Sequence, residues 1–427
     1  MPQTLDTTGL ASLQDFGFTG GRDSFRMFCR NVFRAAQPRF LKDERDQLVV
    51  FRHRDLQAFG VAPEIGNVPI GKLFPNSMSS AVAPAEKTPG WAIKEVIGNQ
   101  VFTYNPPLHG PARRILTDWL SPKQVALMED LAREVAGNVI QAAAGIGEIE
   151  FVSLVADAFV VGFWSRLLHL TQDEQVSIGR CAHDMTRLFH MNRTAEDLAV
   201  LDRAFAEYAR IIGIAADRGL AKGDATMIEI HEKIGRLSLE DDPLEAGTKP
   251  TSLGAALAGN LVDGFHTAAL ATANSFHALL THKEAYAAVK GNPDLLPRAI
   301  AEALRLEPPV LLLSRYVMRD FHYEGFVVSA GQIISMLWAA GNHDPMVFED
   351  PARFDLHRPH TGLTTFGKGV HICPGRYVGV MLVRILIEQC EEMGIIPELA
   401  DAPVWYPAHK MNQLSSLPVR LIPHQRP

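Results

Sequence analysis

Apolar residues recur at helical spacing through most of the chain, and alternation of period two is confined to short runs. Ser121-Pro122 reads as an N-cap followed by proline at the first helical position, which opens a helix through about residue 144. The same periodicity covers roughly 151–170, 173–190 and 195–219. The most regular stretch runs from about 253 to 281, about 40 Å at the helical rise. It is apolar nearly all round, so it should cross the interior. Pro308-Pro309 stops a helix after Glu307, and strand-like runs follow at 310–318, 326–329 and 332–337. Another short strand is expected at 47–51, and a last helix from near Pro374 to about Met393. Residues 61–108 contain Pro63, Pro69, Pro75, Pro84, Pro89, Pro106 and Pro107 and read as one long irregular segment. Segments of that kind are usually lids or binding loops.

These elements predict a mainly α protein with a small strand-rich part in its last third. At 427 residues the length alone suggests two or three domains. No repeat, low-complexity tract or linker divides the chain, however. The expected organisation is therefore a loop-rich segment over 1–44 packed on a single domain over 45–427. With 47% hydrophobic and 21% charged residues the composition is ordinary and globular. A net charge of −7 leaves no basic footprint for nucleic acid or an anionic membrane. No run reaches the roughly 18 apolar residues of a membrane span, since Asp157 interrupts 151–163. Asp6 and Asp15 near the start argue against a signal peptide. Cys29, Cys181, Cys373 and Cys390 form no CxxC pair, which suits reduced thiols and a cytoplasmic location.

One cysteine stands apart. In Phe366-Gly367-Lys368-Gly369-Val370-His371-Ile372-Cys373-Pro374-Gly375 two glycines permit a tight turn before the sulfur, and Pro374 can start a helix behind it. Amides at such a helix start favour thiolate over thiol. The loop is built to present an anionic sulfur to a metal. Its pattern, FxxGxHxCxG, resembles that of the cytochrome P450s, the haem-thiolate monooxygenases. Glu302-Ala303-Leu304-Arg305, 71 residues before Cys373, is similar to the family's ExxR, with both side chains on one helix face. Arg358 sits where the family's third partner of that pair lies. The resemblance covers roughly 45–420 and is strongest for the soluble bacterial members.

The resemblance implies the cytochrome P450 fold around one buried haem b, with Cys373 as axial ligand to the iron. It makes Glu302, Arg305 and Arg358 a structural triad beneath the haem. His109 and Arg113, at i, i+4, match the family's HxxxR and would join Arg315 and His371 in holding the two propionates. Phe366 would pack over the sulfur and Gly375 close the loop. It also implies O2 as co-substrate, a small hydrophobic organic substrate and a reaction inserting one oxygen atom, by hydroxylation or oxidative dealkylation. NAD(P)H would act indirectly. With no GxGxxG fingerprint in this chain, electrons are expected from a separate ferredoxin or flavodoxin and its reductase. Arg114, Lys368, Arg376 and Arg384 are candidates for the docking face.

On the long helix Asn260, Asp263, Gly264 and Thr267 form one narrow polar stripe. Thr267 matches the family's oxygen-side threonine, 35 residues before Glu302. Gly264 is expected to allow close approach of dioxygen. Two positions depart from the family: His266 replaces the acid before the threonine, and Asp263 replaces the small residue before the glycine. Histidine can shuttle protons near neutral pH. The substitutions therefore imply either rerouted proton delivery or an Asp263 that contacts a polar or cationic substrate group. They also keep open a peroxide-driven or O2-independent haem-thiolate enzyme, and more remotely a non-catalytic haem sensor. Expected pocket walls are 74–104, the region of Phe189, Asn260 to Thr267, and Val310 to Leu313.

Overall fold

Ser252 caps the long helix by accepting from the Ala255 amide at 3.1 Å, and the helix runs Leu253–Thr281 through the middle of the molecule. Its neighbours are tied to it by both rings and polar atoms. The Tyr208 hydroxyl of helix Ala195–Ala221 donates to the Ala258 carbonyl at 3.1 Å, and Phe151 packs on Phe276 with centroids 4.7 Å apart. This is a computed structural model, and it describes residues 3–34, 38–73, 89–237 and 250–423. One core cluster collects the central helix together with Glu129–Ala144, Ala158–Leu167, Leu296–Leu306 and Arg376–Glu392.

The strand-rich lobe is a five-stranded mixed sheet in the order Leu41–Lys42, Leu48–Val50, Ile333–Met336, Leu313–Val317, Ile65–Gly66. A smaller sheet joins Ile395–Leu399, Pro418–Pro423 and Glu148–Glu150. The mainly helical architecture with a minor strand lobe is the expected one. Among the described residues no helix is long and apolar enough to cross a membrane.

Several boundaries differ from the sequence expectation. The first 44 residues are not only loop, because Arg22–Val32 is a helix. Its buried Phe25, Phe28, Cys29 and Val32 form one apolar stripe hidden among charged neighbours. The proline-rich stretch is likewise not wholly irregular, because it contains the helix Trp91–Ile97 between its prolines. Residues 74–88 lie outside the described residues. The helix expected through 144 breaks at 127–128 into Pro122–Ala126 and Glu129–Ala144. Helices His109–Trp119 and Ala225–Gly235 were not anticipated.

Candidate active site

The cysteine loop leaves the strand lobe and turns into the helix Arg376–Glu392. Gly367 and Gly369 have φ of +73° and +70°, where a side chain is strained. A Cβ at 369 would also run into the Gly60 carbonyl. The turn is closed by the Cys373 amide donating to the Phe366 carbonyl at 2.9 Å, and Arg376 Nη1 donates to the Cys373 carbonyl at 2.8 Å. Helix begins at Arg376 rather than Pro374, and the Gly375 amide is the one that reaches the sulfur.

That amide lowers the Cys373 pKa, as do Arg113 and Arg376. Burial nevertheless outweighs all three and raises it, with Asp263 adding repulsion. The expected net preference for thiolate is therefore absent from the chain alone. A thiolate here needs a bound cation, as metal-ligating thiols generally do.

Beside the sulfur lie two guanidinium groups and two neutral imidazoles. His109 and Arg113 come from helix His109–Trp119, Arg315 from the strand Leu313–Val317, and His371 from the turn before Cys373. The rings of His109 and His371 are 4.5 Å apart. Arg113 donates to the Ile372 carbonyl, and Arg315 Nη1 donates to the Ser314 carbonyl at 3.0 Å. Among the described residues no carboxylate pairs with either guanidinium. Burial, then repulsion from Arg113, pushes Arg315 down to about 10. Burial, then Arg113 and Arg315, pushes His109 down to about 4. Buried charges are normally paired, so this cluster fits a dianionic group bound against the sulfur. The two propionates of a haem, with its iron at Cys373, meet that description.

On the other side, the stripe of the central helix is not uniform. Asn260 is fully engaged: its Oδ1 accepts from the Val101 amide at 3.0 Å, and its Nδ2 donates to Asn99 and Ala256 carbonyls at 3.2 and 2.8 Å. It fastens the segment at 99–101 to the helix. The Thr267 hydroxyl donates to the Asp263 carbonyl at 2.7 Å. Gly264, expected to admit dioxygen, borders Trp164. Its carbonyl accepts from the Trp164 indole at 3.1 Å, and a Cβ would lie 3.3 Å from that ring, so the missing side chain makes room for Trp164.

Asp263 and His266 line an internal cavity with Met185, Leu188, Phe189, Phe205 and Val262. The region around Phe189 therefore joins the stripe, as the sequence suggested, whereas Val310 bridges Met411. His266 stacks on Phe189 with centroids 5.2 Å apart and planes within 8°. Its buried Nε2 has no hydrogen-bond partner. Burial, then His409, pushes its pKa down to about 3, so it is neutral at physiological pH and not the charged shuttle its residue type suggested. Asp263, by contrast, is exposed, and a hydrogen bond from Gln100 favours its carboxylate.

Beneath the cysteine loop, Arg305 grips Glu302 with Nε and Nη2, both at 2.8 Å, and Arg358 Nε adds a third contact at 3.1 Å. Arg305 also donates to the carbonyls of Asn342, Pro351 and Arg353. A second buried hub was not anticipated: Glu307, held by Arg22 and Arg26 and by Asn412 Nδ2 at 3.0 Å. Of the suggested docking cations, Arg114 and Lys368 are exposed. Arg376 lies over the Tyr377 ring at 4.2 Å, and Arg384 is occupied by Glu129 at 2.6 Å and Glu388 at 3.0 Å.

Comparison with known proteins agrees with this geometry. Residues 237–390 match the family model described as Cytochrome P450. The chain is similar to the beta-dihydromenaquinone-9 omega-hydroxylase of Mycobacterium tuberculosis, at 26% identity over 76% of this chain and 65% of that protein's length. It is equally similar, at 26%, to cytochrome P450 monooxygenase PikC of Streptomyces venezuelae, with 78% of each covered. The solved structure of CalO2 superposes with a TM-score of 0.78 at 20% identity, covering 99% of this chain and all of the other. In its fold, its sulfur-presenting loop and the match over residues 237–390, the chain is similar to bacterial cytochrome P450s.

Proposed function

We propose that this chain is a haem-thiolate monooxygenase that inserts one oxygen atom from O2 into a hydrophobic small organic substrate. The observation that carries the reading is the pairing of a half-buried, loop-presented sulfur with the uncompensated guanidinium groups of Arg113 and Arg315 beside it. Cys373 would hold the iron, and His109, Arg113, Arg315 and His371 the propionates. When bound, such a haem supplies an iron centre that activates dioxygen, its thiolate ligand favouring O–O cleavage.

The remaining tasks belong to the side chains. Arg305 and Arg358 hold Glu302, which fastens helix Leu296–Leu306 to the segment 342–358 that precedes the cysteine loop. Thr267 keeps its hydroxyl hydrogen on the Asp263 carbonyl, which leaves its oxygen as an acceptor. Met185, Leu188, Phe189, Phe205 and Val262 exclude water from the substrate. The hydroxylase and monooxygenase names of its relatives support the same reaction class.

Reduced holoprotein treated with carbon monoxide should show the strongly red-shifted Soret band of a thiolate-ligated haem, and Cys373→His should replace it with an imidazole-type band. An imidazole-type band in the unaltered protein would remove the thiolate from the site. Electrons would arrive from a ferredoxin or flavodoxin with its reductase, drawing on NAD(P)H. If Arg114 and Lys368 guide that docking, turnover with such partners should fall as salt rises. Turnover insensitive to salt would exclude an electrostatic dock.

A further inference from the structure

The cavity between the Phe189 region and the central helix is walled mainly by hydrocarbon, with Met185, Leu188, Phe205 and Val262 among its lining. The polar members of that lining are Asp263, which is exposed, and His266. The Nε2 of His266 is buried and has no hydrogen-bond partner. Its ring lies on Phe189 with centroids 5.2 Å apart and planes within 8°. The imidazole cannot swing toward a partner elsewhere in the protein without giving up that stack. Buried polar side-chain atoms are nearly always paired, and an exception at a cavity wall points to a ligand that completes it.

We propose, as a refinement that rests on the monooxygenase reading, that His266 sets substrate specificity by hydrogen-bonding through Nε2 to a neutral oxygen, hydroxyl or carbonyl, on an otherwise apolar substrate. Electrostatics favour neutral oxygen over an anion. Burial, then His409, holds the imidazole uncharged, so it brings no cation to a carboxylate or phosphate. The Asp263 carboxylate on the same lining repels a second anion. A neutral imidazole offers either an N–H or a lone pair at Nε2, according to its tautomer. A carbonyl accepts from the first, and a hydroxyl can engage either. The apolar wall alone grips a hydrocarbon without direction. One hydrogen bond in the plane of a ring fixed by stacking supplies that direction, and it does so beside Thr267 on the same helix.

The test uses holoprotein whose carbon monoxide spectrum is already of the thiolate type. Three probes share a phenylpropyl body and end in a methyl ketone, in its isopropenyl isostere or in a carboxylate. Dissociation constants are read from substrate-induced Soret difference spectra at neutral pH. His266→Phe keeps a ring for the stack on Phe189 and removes the nitrogen. It should weaken the ketone about tenfold, while the isopropenyl probe binds no worse. His266→Gln, which returns a neutral hydrogen-bonding group, should recover part of the loss for the ketone alone. In the unaltered protein the carboxylate should bind more weakly than the ketone. Failure of the ketone to bind, or an equal change for both neutral probes in His266→Phe, overturns the proposal. So does a ketone weakened as much by His266→Gln as by His266→Phe, or a carboxylate that binds tightest of the three. Any of these with an intact thiolate band removes the oxygen contact alone, whereas loss of that band in the unaltered protein would sink the haem-thiolate reading beneath it.

Discussion

Arg305→Ala should abolish accumulation of stable protein. Both Arg305 and Glu302 are wholly buried, and the guanidinium uses two nitrogens on the carboxylate and the remaining valences on three backbone carbonyls. Truncation leaves the Glu302 carboxylate with Arg358 and the Asp355 amide, and strips the Asn342, Pro351 and Arg353 carbonyls of a donor. Breaking a buried ion pair from one side costs about 3–5 kcal/mol. Net stabilities are only about 5–15 kcal/mol, so the loss removes a large fraction. Arg305→Lys should recover little of it, because an ammonium cannot span both carboxylate oxygens and the carbonyls at once. Arg353→Ala is the matched control. Its side chain is 65% exposed, and its pair with Asp355 should be worth less than about 1 kcal/mol. Denaturant midpoints decide the matter: a midpoint for Arg305→Ala as close to the parent's as that of Arg353→Ala would show that the triad does not hold the scaffold.

That triad was legible because its members follow short local rules. Glu302 and Arg305 face the same way on any helix by their i, i+3 spacing, and the pattern around Cys373 is specific enough to need no further help. The long helix was legible for a similar reason, since an unbroken apolar stretch of that length has few other fates. What escaped was set by contacts between distant segments. Gln100 meets Asp263 only because Asn260 fastens the 99–101 turn to the helix. Trp164 takes the space at Gly264, which a motif reading assigned to dioxygen. Arg22 and Arg26 find Glu307 across about 280 residues, on a helix whose charged neighbours masked its apolar stripe. Residue type also hid the protonation balance, since burial holds His266 neutral and opposes ionisation of Cys373 in the chain alone.

The cations beside the sulfur lead to an expectation of opposite sign in two forms of the same protein. Arg315 is driven down to about 10 by burial and by Arg113, and both this and its ordinary value lie well above neutral pH. The arginine therefore stays charged in folded and unfolded chains, and the penalty on its charged form is fully present at neutrality, about 3 kcal/mol. Arg315→Met, which removes the charge and keeps most of the volume, should stabilise the haem-free protein by an amount of that order. The same change should loosen haem retention by about tenfold or more, since a charge-assisted contact to a propionate is lost. His109 adds a pH signature. Its folded pKa near 4 lies below the value of 6.5 expected in an unfolded chain. On acidification from about pH 6.5 to about pH 4 the unfolded chain takes up a proton that the folded one refuses, so haem-free stability should fall through that window, by about 1.4 kcal/mol per unit at most from this group. His109→Gln should flatten the fall. Propionates beside the imidazole would raise its pKa, so the haem-loaded protein should show a shallower dependence. Thermal melts of both forms at several pH values, with haem transfer to a scavenging protein, measure all of this. If Arg315→Met destabilised the haem-free protein, the cluster would be held by something other than a bound dianion.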